Sequence, residues 1–210
     1  MKKLYVFALL VAACAAVQAA PIDELTAAAE MDNGREVLAL LLKGVDPNAR
    51  DERGRTALAL AMREESGAAM DALLSDPRLD LNAVNANGET PLMLAAIKGK
   101  LDWVQKLVKR GAQINRAGWT PLHYACSGPD EGVAAWLLGH GADINARSPN
   151  GTTPLMMAAR YGAMDTVPVL LNAGADTTLT NEQGLTALDF AKRSGRARTA
   201  KQIEAAAARR

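Results

Sequence analysis

The chain is poor in the residues that usually carry chemistry. Its 210 residues include two cysteines and two histidines, and aromatics make up only 4%. Cys14 lies in an apolar leader, which leaves Cys126 as the one mature thiol, and a single thiol cannot close an internal disulfide. Cys126 replaces an alanine on a packed helix face, so a buried, inert thiol is expected there. His123 and His140 are 17 residues apart and have no carboxylate or thiol at ligand spacing. Neither a zinc site nor a histidine-centred catalytic group is therefore expected. Phosphate-binding glycine loops and Ser-x-x-Lys boxes are missing too. The net charge is +1 and no basic block occurs, so the footprint of a nucleic-acid binder is lacking. These absences argue against an enzyme and against any cofactor or metal.

A soluble globular composition is present instead, with 49% apolar and 22% charged residues. Residues 1–19 read as a signal peptide. Lys2 and Lys3 form its charged start, and Leu4 to Val17 is an apolar run too short to span a bilayer comfortably. Val17-Gln18-Ala19 offers a cleavage site after Ala19, giving a mature chain from Ala20. Val11-Ala12-Ala13-Cys14 resembles a bacterial lipobox, which would instead place a lipid on Cys14. The short apolar region ahead of Cys14 favours cleavage and soluble export. An uncleaved anchor is the third reading. The brief leader and its Lys-Lys start look bacterial, so the periplasm is the expected compartment, with no membrane contact unless Cys14 is lipidated.

The mature chain is organised on one template, GWTPLHYACSGPDEGVAAWLLGHGADIN, from Gly118 to Asn145. Thr120 can cap a helix and Pro121 fits its first position. Leu122, Ala125 and Cys126 share one apolar face at helical spacing. Ser127, Gly128 and Pro129 stop the helix. Val133, Trp136, Leu137 and Leu138 form a second stripe, and Gly141 closes it. Helices this short are not stable alone, so the unit needs neighbours. They exist: the Thr-(Pro/Ala)-Leu triplet recurs at Thr56, Thr90, Thr120, Thr153 and Thr186, at intervals of 34, 30, 33 and 33 residues.

This pattern resembles the ankyrin repeat, whose signature is T-P-L-H-x-A at a period of about 33. Thr120-Pro121-Leu122-His123-Tyr124-Ala125 matches every specified position. Gly54, Gly88, Gly118, Gly151 and Gly184 each precede a repeat threonine by two residues. Asn48, Asn82, Asn115 and Asn145 begin the loops. The resemblance implies an all-α solenoid of about six helix-turn-helix units joined by short β-hairpin loops. It forms a single domain over 20–210, with repeats at about 20–48, 49–82, 83–115, 116–145, 146–178 and 179–210. The first repeat is degenerate: Asp23 stands in the threonine's place, and polar residues including Glu30, Asp32 and Arg35 are expected to cover its free end. The loop before the fourth repeat is three residues short, which should leave a notch in the row of hairpins.

The resemblance further implies a monomeric protein whose partner is another protein, held on the concave side by hairpin tips and first helices. The matching positions are Trp119, Tyr161 and Arg160 at the centre, with Arg53, Arg55, Ile97 and Lys98 extending the surface. Ser127, Gly128 and Thr152 also fall at matching exposed positions. Trp119 would line the notch, while Trp103 and Trp136, on second helices, are expected in the core. Met93, Met156 and Met157 are expected to pack between repeats. The functional expectation is a periplasmic protein-binding module, inhibiting an enzyme in the manner of an immunity protein or assisting one, for instance in peroxide defence. A lipid-anchored scaffold and an enzyme are the alternatives.

Overall fold

The computed structural model describes residues 21–163 and 165–209. The expected leader, its cleavage site and Cys14 lie outside the described residues. Twelve helices occur among those residues, in six pairs. They are α1 (Pro21–Glu30) with α2 (Gly34–Leu42), α3 (Ala57–Glu64) with α4 (Gly67–Ser75), and α5 (Pro91–Ile97) with α6 (Leu101–Lys109). There follow α7 (Pro121–Ala125) with α8 (Glu131–Gly139), α9 (Pro154–Tyr161) with α10 (Thr166–Asn172), and α11 (Ala187–Arg193) with α12 (Ala197–Ala207).

The repeat threonines start the odd-numbered helices. Thr56, Thr90, Thr153 and Thr186 each accept, on Oγ1, the backbone N–H three residues on, at 3.2–3.4 Å. That satisfies a donor which the first turn leaves without an intrahelical partner. Each odd helix packs against the next odd one, and most even helices do likewise. The odd-numbered helices form one row, the inner side that the repeat pattern implies, and the even-numbered helices the other. Leu25, Leu58, Leu92, Leu122 and Leu155 from the inner row meet Val37, Leu73, Leu107, Leu137 and Leu170 from the outer row in one continuous core.

The hairpin loops are tight turns, and none of the described residues forms a strand. In four of them, the residues four apart at the base share one backbone bond, as from the Asp51 N–H to the Arg55 carbonyl at 3.0 Å. Asn85 with Glu89, Ser148 with Thr152 and Asn181 with Leu185 repeat that bond at 3.0 Å. The loop asparagines tie each repeat to the next. Asn48, Asn82, Asn115 and Asn145 accept, on Oδ1, the N–H of Asp80, Gln113, Asp143 and Asp176 at 2.6–3.0 Å. Each bond spans about one repeat, so register between neighbours is set by hydrogen bonds as well as by apolar contact.

Two local expectations change. Helix α1 begins at Pro21, so Asp23 lies within its first turn and does not cap it. The first repeat is not uniformly polar on its exposed surface: Met31 and Leu42 are each 80% exposed and Leu38 is exposed too. Asp32 is exposed and accepts the Ala69 N–H at 2.9 Å. Pro168 is the third residue of α10, where a backbone N–H has no acceptor within the helix, so it fits without breaking the element.

Candidate partner-binding groove

The fourth hairpin is the short one, and it shapes what lies beside it. Gly118 turns there with φ +79, a conformation glycine adopts without strain. Trp119 follows at once and then α7 starts. With little loop in front of it, the indole lies down against the helices, half-buried, with its ring edge on His123 and the ring centroids 5.2 Å apart. Its exposure is therefore smaller than the sequence implies.

His123 is fully buried beneath it and is held at both ring nitrogens. The Thr120 N–H donates to Nδ1 at 3.2 Å, and Nε2 lies 2.9 Å from the Thr152 carbonyl oxygen. Nδ1 therefore accepts, and the neutral ring carries its proton on Nε2, where it donates. Burial pushes its pKa below the ordinary histidine value, against smaller opposing effects from Thr152 and Asp143. The same network buries Thr152, which is not an exposed tip residue. The imidazole is a structural brace between the fourth and fifth repeats. Cys126 is sealed nearby, and burial pushes its thiol pKa far up.

Trp119, Ile97 and Tyr161 line one groove of about 440 Å³, together with Tyr124, Ser127 and Met157. Ile97 is 39% exposed and Tyr161 54%, among the few large apolar side chains left in solvent. Gly128 lies behind this surface and is buried. A Cβ there would stand 2.9 Å from the Ile97 carbonyl oxygen. Two repeats approach too closely at this point for any side chain, so Gly128 serves packing and is not part of the exposed surface.

The remaining candidates fall into two groups. Arg160 is exposed, with its guanidinium carbon 4.9 Å from the centre of the Tyr161 ring. Arg53, Arg55 and Arg63 line a separate hollow of about 370 Å³ over α3 and the third hairpin. Arg55 is committed within the fold, 2.7 Å from Asp51 and 3.2 Å from Glu30. Lys98 donates to the Arg63 carbonyl at 2.9 Å and lies 3.4 Å from Glu65. Arg53 is exposed at its tip. The structure thus brings Trp119, Tyr161, Ile97 and Arg160 together and leaves Arg53 and Arg55 in another hollow.

Sequence reasoning does not single out Tyr124 or Met157 for this surface. Tyr124 donates its hydroxyl to Glu89 at 3.2 Å, and burial, then the Glu89 charge, push its pKa up to about 12. Glu89 lies 35 residues earlier, close to one repeat, so superposing adjacent repeats would have found the pair. Met157 is only half-buried and faces the groove instead of packing wholly between repeats. Trp136 is also corrected: it is half-buried on α8, stacked on His140 with centroids 3.6 Å apart, while Trp103 is the buried tryptophan. No three His, Cys, Asp or Glu side chains gather as a metal would require among the described residues.

These features define a helical-repeat scaffold with an aromatic surface on the side of its odd-numbered helices. Models of ankyrin repeats match residues 25–117, 70–148 and 140–191, and the chain belongs to the ankyrin-repeat family. Repeats of this family are protein-interaction modules. Among curated proteins, the chain is 32% identical over 129 residues to a rat ankyrin repeat and SAM domain-containing protein 6, covering 60% of this chain and 15% of that one. It is 33% identical over 138 residues to a mouse B-cell lymphoma 3 protein homolog, covering 62% and 31%. It therefore spans less than a third of either relative.

Two bacterial structures match far more of the chain. One is an ankyrin repeat domain from Acinetobacter baumannii, with TM-score 0.74 and 28% identity, covering 87% of this chain and 97% of that one. The other is a chain from a complex of a Bdellovibrio bacteriovorus predatory endopeptidase with an immunity protein. There the TM-score is 0.73 and the identity 31%, covering 86% and 96%.

Proposed function

We propose that this chain is exported to a bacterial periplasm and there binds an enzyme through its inner face, inhibiting it in the manner of an immunity protein. The groove carries this reading. Two half-exposed aromatic rings and an isoleucine, with an arginine laid on one ring, have the composition of an interface hot spot. Such a surface is costly to leave in water unless something covers it. The short hairpin before Trp119 leaves room for a bulky element of the partner to reach the helices. The leader read from Lys2 to Ala19 supports export. The likeness to a chain from an endopeptidase–immunity protein complex supports inhibition.

Two measurements test this. N-terminal sequencing of the exported protein should begin at about Ala20; a lipid-bearing Cys14 there would turn the reading towards an anchored scaffold. The purified chain, immobilised and exposed to a periplasmic extract of its host, should retain an enzyme whose activity falls when the chain is added. Rising activity would replace inhibition by assistance. Equal retention by the wild type and by Trp119→Ala would remove the groove from the function.

A further inference from the structure

Resting on that protein-binding reading, we propose that the groove receives an acidic, apolar segment of its partner. A bulky apolar side chain sits between Trp119 and Tyr161, and a carboxylate beside it is held by Arg160 and Arg193.

Arg160 joins the two parts of this site. Its guanidinium lies on the ring of Tyr161, which lines the apolar groove. It also lines an adjoining hollow of about 200 Å³, shared with Arg193, Gln183, Leu185 and Phe190. An apolar seat thus runs directly into a pair of cations. Arg160 forms no ion pair among the described residues. The acid near Arg193 is Asp189, which already accepts the Thr186 N–H at 2.8 Å and the Thr186 hydroxyl at 2.6 Å.

Four other cations of the inner face are paired, Arg55 and Arg63 with Glu30, and Lys98 and Lys100 with Glu65, while Arg53 lies exposed in the separate hollow and Arg116 donates to the Gly88 carbonyl at 3.0 Å. The Arg160 fork, without an ion pair among the described residues, and Arg193, which shares its field with Asp189, together favour a planar anion, which a guanidinium can grip through paired N–H bonds. The far side of the groove has the opposite character. There Glu89 accepts the Tyr124 hydroxyl, and its charge would repel a second carboxylate. Polarity therefore orients the segment, with its apolar residue over Trp119 and its acid towards α9 and α11.

The probe is a capped peptide, Gly-Phe-Asp-Glu-Gly, titrated into the whole mature chain while backbone amide resonances are followed by NMR. Shifts should centre on Trp119, Tyr161, Arg160 and Arg193 and should weaken as salt rises. Replacing Phe by Ala in the peptide should abolish binding at the same concentrations. Arg160→Glu should weaken it roughly tenfold, the scale of one exposed charge pair lost and then reversed. Arg160→Lys should recover part of that loss, and circular dichroism checks that both variants fold.

Equal or tighter binding of Gly-Phe-Lys-Lys-Gly would overturn the acidic assignment, as would shifts centred on Arg53 and Arg55. If Arg160→Glu still retains the captured partner at wild-type affinity while Trp119→Ala loses it, the acidic assignment fails alone. If neither variant matters, the protein-binding reading of this face fails with it.

Discussion

The two halves of the inner face are built on the same helices and present opposite surfaces. In the N-terminal half, Glu30 holds Arg55 at 3.2 Å and Arg63 at 3.0 Å, and Glu65 holds Lys100 at 2.6 Å. In the C-terminal half, Tyr161 and Arg160 are exposed and Trp119 is half-buried, and Arg160 forms no ion pair among the described residues. Exposed ion pairs add little stability, on the order of 0–1 kcal/mol each. Their larger effect is on recognition, because a paired cation presents little field to a partner. A row of similar repeats can thus hold one half neutral and the other adhesive by changing a few residues at equivalent positions.

The largest test removes what both halves stand on. Leu122 is 1% exposed in the continuous core, on α7, which packs against α5 and α9 of the neighbouring repeats. Leu122→Ala should cost about 2–5 kcal/mol through the cavity it opens. Urea unfolding followed by circular dichroism would show it, and a change near zero would remove Leu122 from the core.

The second test separates the halves. Trp119→Ala should weaken partner binding by at least about 30-fold, the scale of an aromatic anchor above 2 kcal/mol, with only a small loss of stability. Arg53→Ala, in the other hollow, should leave affinity within about threefold. Equal losses by calorimetric titration would erase the contrast between the halves.

The third uses pH. Burial holds His123 below its ordinary value of 6.5. The unfolded chain therefore takes up a proton at a pH where the folded one does not, and stability falls as pH drops from about 6.5 through that interval. The slope contributed is at most about 1.4 kcal/mol per pH unit. The flanking repeats carry Met93 and Met156 at this position, so His123→Met is a fitting replacement. The variant should lose this part of the decline in unfolding free energy between pH 6.5 and 5. An undiminished decline would mean that His123 is not its source.

The smallest effect belongs to the paired half. Arg63 is largely exposed and its partners are Glu30 and Glu64. Arg63→Ala should shift unfolding by under about 1 kcal/mol and leave partner affinity unchanged. A loss of several kcal/mol would show that these pairs hold the stack together.

The amino-acid sequence by itself determined the helix pairs and their order. Spacing near 33 residues, threonines that cap and prolines that begin helices act within a few residues, so periodicity exposes them. It also marked Trp119, Tyr161, Ile97 and Arg160 as candidates on one side. Tertiary structure decided which of them share a surface and which side chains are spoken for. Trp119 reads as an exposed tip residue and Trp136 as a core one, yet both end half-buried, one braced on His123 and the other stacked on His140. Arg55 and Lys98 read as free cations and are bound by acids one repeat or less away. Gly128 reads as surface and is buried by Ile97 of the preceding repeat. The physical reason is common to these cases: burial and charge pairing depend on what the neighbouring repeat places opposite a residue, and that distance is set by stacking, not by the residue's own helix.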